Sequence, residues 1–249
     1  MKSVKIRFYE ELNDFLPEES KKIRFTHSYI DTTSVKDLIE SFGVPHTEID
    51  LILVNGISIG FDYLINNGDY ISVYPVFESF DITNVQHLRP KALRRPKFVL
   101  DVHLGKLAKF MRMIGIDTLY RNDYEDEEIV KISLKEKRTI LTKDLGILKR
   151  KQVTHGYYVR NIDPSLQIQE IVGRFQLESE IKELSRCIEC NEKIVSVHKE
   201  DILDKLPLKV RKWQSEFFQC PGCKNIYWKG SHYDNMIKMI RELKGKEGI

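Results

Sequence analysis

No apolar run in these 249 residues approaches the ~20 that a membrane helix requires, so no membrane association is expected. The opening MKSVKIRFYEEL alternates charged and apolar residues. It lacks the basic start, apolar stretch and cleavage site of a secretory leader, and a cytoplasmic chain is the expectation. No internal repeat helps. Net charge is only +3, so overall composition does not point to a polyanionic partner; the placement of charge says more. Against these absences stand an apolar fraction of 41%, enough for real cores, and 31% charged residues. The length exceeds that of the commonest single domains and predicts two or three.

Cysteine is scarce as well, but the four present are ordered as Cys187-Ile-Glu-Cys190 and Cys220-Pro-Gly-Cys223. Two residues between thiolates let both turn toward one ion, and two such knuckles complete a tetrahedron. Pro221-Gly222 favours the tight turn. Two disulfides or a redox pair are the alternatives. A reducing compartment argues against the first, and the matched second knuckle against the other. A structural zinc ion on Cys187, Cys190, Cys220 and Cys223 is expected, with no position left open for catalysis.

Residues 2–8 alternate as a strand, with residues 22–25 as the expected partner. Ser34 is placed to cap a short helix, with Asp37 in the capping-box position and Gly43 near its end. Strands follow at 51–54 and 70–75, with turns at Asn55-Gly56 and 66–69. The pattern is an α+β grasp-type roll. Val54-Asn55-Gly56, Asn67-Gly68-Asp69 and Val73-Tyr74-Pro75-Val76 resemble the ubiquitin-like sulfur carriers of the molybdopterin and thiamine pathways. Those carriers end in a free Gly-Gly. This chain reads Val76-Phe77-Glu78-Ser79-Phe80 and continues, so a module that docks a protein partner or orients substrate is expected rather than sulfur transfer.

Residues 80–96 read as a basic linker, broken by Pro90 and Pro96, and include Arg94 and Arg95 as candidate phosphate contacts. A solvated linker is the bland alternative. Beyond it, strands at 98–102, 116–120, 139–142 and 157–159 alternate with helices, as in an α/β unit with a parallel sheet. Leu104, Leu107, Ala108, Met111 and Ile114 form one helical stripe, with Arg112 off it. Ile129, Val130, Ser133 and Leu134 should face inward from the next helix. Asp163-Pro164 should open a helix running to about Leu177.

Ligands of such sheets bind beyond the carboxyl ends of the strands. Asp101 and Asp144 fall at strand ends, and Asp123 and Asp126 beyond another. Clustered carboxylates repel unless a cation joins them, and hard oxygen donors suit Mg or Mn. Asp126 and Asp144 have a plainer alternative as helix-start residues. A carboxylate after the apolar run Phe98-Val99-Leu100 is harder to dismiss.

FVLDVHLGKLAKFMRMIGIDTLY, an acidic helix start, TILTKDLGILKR, both cysteine knuckles and Tyr227-Trp228-Lys229-Gly230-Ser231-His232 together resemble the Mut-seven C-terminal ribonuclease family. The resemblance covers roughly residues 97–240. It implies a PIN-like fold, cleavage of RNA, and catalytic roles for Asp101, Asp126 and Asp144, the first and last holding Mg or Mn.

The expected organisation is therefore a ubiquitin-like β-grasp domain at 1–79, a linker at 80–96, a PIN-like α/β domain at 97–180, and a zinc ribbon with a C-terminal helix at 181–249. RNA is the expected partner, contacted by Arg94, Arg95, Arg112, Lys143, Arg150, Trp228 and His232. Tyr227 and Trp228 read first as ribbon core, with stacking faces for bases as the alternative. A non-catalytic RNA-binding adaptor for tRNA or rRNA is the competing function.

Overall fold

The computed structural model describes residues 1–76, 88, 96–230, 233, 237, 238 and 241. Arg94, Arg95 and His232 lie outside the described residues, as does most of the expected linker. Two compact units are present, one formed by residues 1–95 with 142–158, the other by 96–141 with 159–249. Among the described residues, no helix is long and apolar enough to cross a membrane.

The first unit contains β1 (Lys2–Phe8), β2 (Phe25–Tyr29), α1 (Val35–Ser41), β3 (Ile49–Val54), β4 (Ile57–Ser58) and β5 (Tyr70–Pro75). Their sheet order is β2-β1-β5-β3-β4, with β1 parallel to β5 and its other neighbours antiparallel, the ubiquitin-like β-grasp. Alternation sends Val4, Ile6, Phe8, Ile71 and Val73 into a core completed by Leu38 and Ile39 of α1. Ser34 caps α1 as its spacing predicts, its Oγ accepting from Asp37 N–H and donating to the Asp37 carboxylate. Asn55 and Gly56 both take positive φ, the requirement of the tight β3–β4 turn. The partner of β1 begins at Phe25 rather than spanning 22–25. Lys22 sits in the left-handed region (φ 59), where its N–H donates to Asn13 Oδ1, and this turn holds the preceding residues out of the sheet.

The same unit holds the segment 142–158, with α4 (Leu145–Leu148) and, after it, β9 (Gly156–Tyr158). Hydrogen bonds and a ring contact tie it to the grasp domain. His46 Nε2 lies 2.8 Å from the Val153 carbonyl, and Lys149 donates to the Glu40 carbonyl at 2.9 Å. Tyr158 N–H donates to Glu48 Oε1 at 2.7 Å, and Tyr158 meets Phe15 edge-on at 5.8 Å.

In the second unit β6 (Lys97–Leu100) is followed by α2 (Gly105–Met113), β7 (Thr118–Leu119), α3 (Asp126–Glu136), β8 (Arg138–Thr142) and α5 (Pro164–Arg174). Strand β6 lies between β7 and β8, parallel to both. This is the expected α/β arrangement with a parallel sheet. The stripe from Leu104 to Ile114 is fully buried. Gly115 stops α2 with φ 90. Any side chain there would collide with the Lys182 carbonyl and Ser185 Oγ. Asp163 caps α5, accepting from Ser165 and Leu166 N–H. The helix ends at Arg174, short of Leu177, which turns back to be buried. Leu134 is exposed, not inward, since Ile129, Val130 and Ser133 already fill the buried face of α3.

Beyond α5 come β10 (Val195–Val197), α6 (Leu208–Trp213), β11 (Phe217–Gln219) and β12 (Ile226–Trp228), and the expected C-terminal helix lies mostly outside the described residues. The three strands form an antiparallel sheet in that order, around a small core of Ile202, Leu206 and Phe217.

Candidate functional site

The four cysteines are free thiols whose sulfurs all lie within 4.8 Å of one another. Among the described residues no other group of three or more Cys, His, Asp or Glu side chains has this geometry. The two knuckles fold alike. Cys190 N–H points to Cys187 Sγ at 3.5 Å, and Cys223 N–H to Cys220 Sγ at 3.4 Å. Asn191 N–H donates to the Cys187 carbonyl and Lys224 N–H to that of Cys220. Asn191 and Lys224 both adopt positive φ, 69 and 65. Backbone donors aimed at sulfur stabilise thiolates, and four soft donors in one cluster can hold a zinc ion. Burial raises the Cys187 thiol, but hydrogen bonds from the Tyr227 hydroxyl and the Cys190 N–H outweigh it and bring it down to about 7. The Cys223 thiol goes the other way, pushed by burial to about 12.

Around the first knuckle lies a polar network that sequence reasoning missed. Arg112, expected on a solvent face as a phosphate contact, is only 3% exposed. Its guanidinium donates to four backbone carbonyls, those of Thr118 (2.9 Å), Tyr120 (3.2 Å), Ile188 (3.0 Å) and Glu189 (2.7 Å). It therefore serves as a structural clasp between α2, β7 and the knuckle. Asp117 is bracketed by Arg138 (2.7 Å) and Arg186 (3.0 Å), and Asn191 donates to it at 2.8 Å. Burial raises the Asp117 carboxyl, yet the hydrogen bonds from Arg138 and Asn191 and the two guanidinium charges hold it below its usual value. An Arg opening the buried strand β8 was the available signal, because a buried cation needs an anion.

The candidate acids fall as follows. Asp101 directly follows β6 and is 5% exposed. Its N–H donates to the Leu141 carbonyl, and its carboxylate accepts from His103 N–H at 3.4 Å, capping a single 3₁₀ turn at Val102–Leu104. Asp126 is the first residue of α3, half-buried, where the helix dipole favours negative charge. Asp123 is exposed and paired with Arg121 at 2.6 Å. Asp144, exposed, caps α4 by accepting from Gly146 N–H at 2.7 Å, while its own N–H donates to Thr142 Oγ1. Asp101 and Asp126 belong to the second compact unit, Asp144 to the first, as do Lys143 and Arg150, both half-buried.

In the ribbon, Tyr227 hydrogen-bonds Cys187 Sγ at 3.1 Å. Trp228 packs on the small core, tilted against Phe217 at 6.5 Å, in the core role rather than as an open stacking face. The open aromatic is Trp213, 84% exposed at the end of α6, whose last turn carries Arg211 and Lys212.

A β-grasp module ahead of an α/β domain with a buried strand-end carboxylate and a four-cysteine ribbon defines the class of protein. The chain belongs to the Mut7-C RNAse domain family, whose model matches residues 96–240. Residues 1–81 match the Mut7-C ubiquitin model, in the order the fold displays. Neither the curated proteins nor the solved structures yielded a match.

Proposed function

We propose that the chain is a metal-dependent ribonuclease that hydrolyses RNA phosphodiester bonds. The observation that carries this reading is Asp101, a carboxylate 5% exposed at the carboxyl end of a parallel strand within the region matched by the RNAse family. Asp101 and Asp144 are the proposed Mg or Mn carboxylates and Asp126 a third catalytic acid. Their hard oxygen donors suit those ions. A divalent ion held there supplies an activated water and neutralises charge at the phosphate. Zinc in the four-cysteine cluster is structural, since four protein ligands leave no coordination position open. The PIN-like character of the α/β domain, the domain limits 1–79, 97–180 and 181–249 and the RNA contacts of Lys143 and Arg150 are parts of the same proposal, as are those of the linker arginines and His232. A cytoplasmic location suits four free thiols.

The test is cleavage of end-labelled single-stranded and structured RNAs with added manganese. Wild type is compared with Asp101→Asn and Asp144→Asn. Cleavage by wild type alone supports the site. Equal cleavage by all three removes the acids from the mechanism.

One observation favours the adaptor reading. Asp101 and Asp144 each accept a backbone N–H at a helical start, which a structural cap also explains. RNA binding without cleavage in any metal would establish it.

A further inference from the structure

The outer face of the grasp sheet has no assigned role, and its chemistry is uniform. Side chains alternate along β1 and β5, so Lys5 and Arg7 stand beside Tyr70 and Ser72, with which they are in register. Arg24, just before β2, joins them. Lys5 Nζ lies 5.1 Å from the Tyr70 ring centroid and 3.2 Å from its hydroxyl. The Arg24 guanidinium sits 5.6 Å from the same ring and donates to Ser72 Oγ at 3.3 Å. Next to this group Tyr9 and Tyr74 stack at 4.3 Å with their planes 13° apart, and Arg7 lies 4.9 Å over Tyr9. Tyr70 is 48% exposed, and Lys5 and Arg24 are exposed. No Asp or Glu occupies an exposed or half-buried position of β1 to β5. The field is felt locally. A hydrogen bond from Tyr74, aided by the charges of Arg7 and Arg24, lowers the Tyr9 phenol from its ordinary value.

Three cations and three aromatic rings on one sheet, whose described strands carry no exposed or half-buried acid, are complementary to a polyanion with planar groups. We propose that this face binds single-stranded RNA, with Lys5, Arg7 and Arg24 on phosphates and Tyr70 and the Tyr9–Tyr74 pair offering rings to bases. Every base has a π-face, so such a platform is tolerant of sequence. A duplex hides its bases, so the face selects for unpaired strand. A protein partner fits less well, because docking patches are built on a desolvated apolar centre, whereas Leu51 and Leu53 are half-buried on β3 beside Tyr74 and Ser72, and the rest of the face described above is cationic or phenolic. The inference rests on RNA being the substrate and gives the grasp domain the task of capturing it.

The experiment is fluorescence anisotropy of a labelled single-stranded 12-mer and a matched hairpin with the full chain. Magnesium and manganese are omitted, so the RNA stays intact whether or not the chain is a nuclease. Tyr70→Ala should weaken single-strand binding about tenfold, and Tyr70→Phe should not. The double variant Lys5→Gln/Arg24→Gln should lower the slope of log affinity against log salt by about 1.4, two phosphate contacts at ~0.7 each. Trp213→Ala reports separately on the ribbon. Wild-type affinity in Tyr70→Ala and in the double variant overturns the proposal, as does the absence of single-strand binding by the wild-type chain. Displacement of the RNA by an acidic peptide at equal concentration also overturns it, since that would mark a site for charge alone. Loss of binding at this face with cleavage absent in all metals refutes the ribonuclease and leaves the face standing. The opposite pattern does the reverse.

Discussion

His46 bridges two segments that are 107 residues apart in sequence: its Nε2 lies 2.8 Å from the carbonyl of Val153, while its Nδ1 lies 2.6 Å from the Glu40 carboxylate. The ring is buried, so neither partner has water as a ready substitute. Together with the Glu48–Tyr158 and Lys149–Glu40 bonds it fastens the segment that carries Asp144 to the grasp domain. His46→Ala should destabilise this unit by about 1–3 kcal/mol, the penalty for orphaning buried polar groups. Hydrogen exchange should rise in 142–158 ahead of β1 and β5. Unchanged protection there would mean that the remaining contacts suffice.

Arg112 should tolerate no substitute. Lysine has the charge but a single ammonium cannot reach four carbonyls held in a planar fork. Arg112→Lys is expected to cost about 2 kcal/mol in urea unfolding and Arg112→Ala more, with bound zinc per chain falling in both. Retention of full zinc content in Arg112→Ala would show that the knuckle holds its shape without the clasp.

Asp117 predicts an acid dependence. Its folded pKa is lowered relative to the unfolded chain, so its contribution is present above the unfolded value near 4 and lost as pH falls through the folded value. Asp117→Asn should be about 3 kcal/mol less stable at pH 7, since it leaves Arg138 and Arg186 without their anion. The gap from wild type should shrink below about pH 4. A constant gap across that range would assign the effect to packing rather than charge.

Zinc content gives a direct check on the ribbon. The purified chain should release one zinc per molecule when its thiols are titrated with mercurial, and Cys220→Ser should bind far less. A metal-free chain with four reactive thiols and an unchanged melting temperature would rule out a structural ion.

Local patterns were legible in the sequence, and distant pairings were not. Ser34, Asp163-Pro164 and the paired knuckles each signal through neighbours a few residues away: the first two cap their helices as the spacing predicts, and the knuckles bring four sulfurs together. Arg112 lies off the apolar stripe of its helix, as a surface residue does, and its carbonyl partners at 188 and 189 are more than seventy positions distant. Asp117 and Arg138 escaped for the same reason. The attachment of 142–158 to the grasp domain depends on a histidine and a glutamate whose spacing carries no motif. The tyrosines of β5 carry no motif, and only the β1–β5 register sets Lys5 beside Tyr70.

The two cysteine knuckles hang from different supports. The loop at 187–190 is gripped by Arg112 from α2, and Asn191 beside it is anchored to Asp117 and Thr118 N–H. The loop at 220–223 sits on the β11–β12 hairpin, which reaches the first knuckle through the Tyr227 hydroxyl. A metal ion held by the four sulfurs would act as a rivet through two plates of unequal support. With more backbone carbonyls and N–H groups tied down around the first loop, chelation would free the hairpin first and leave the seated loop in place. Failure of this joint therefore has a direction, and re-addition of metal to an intact socket is the natural path of repair.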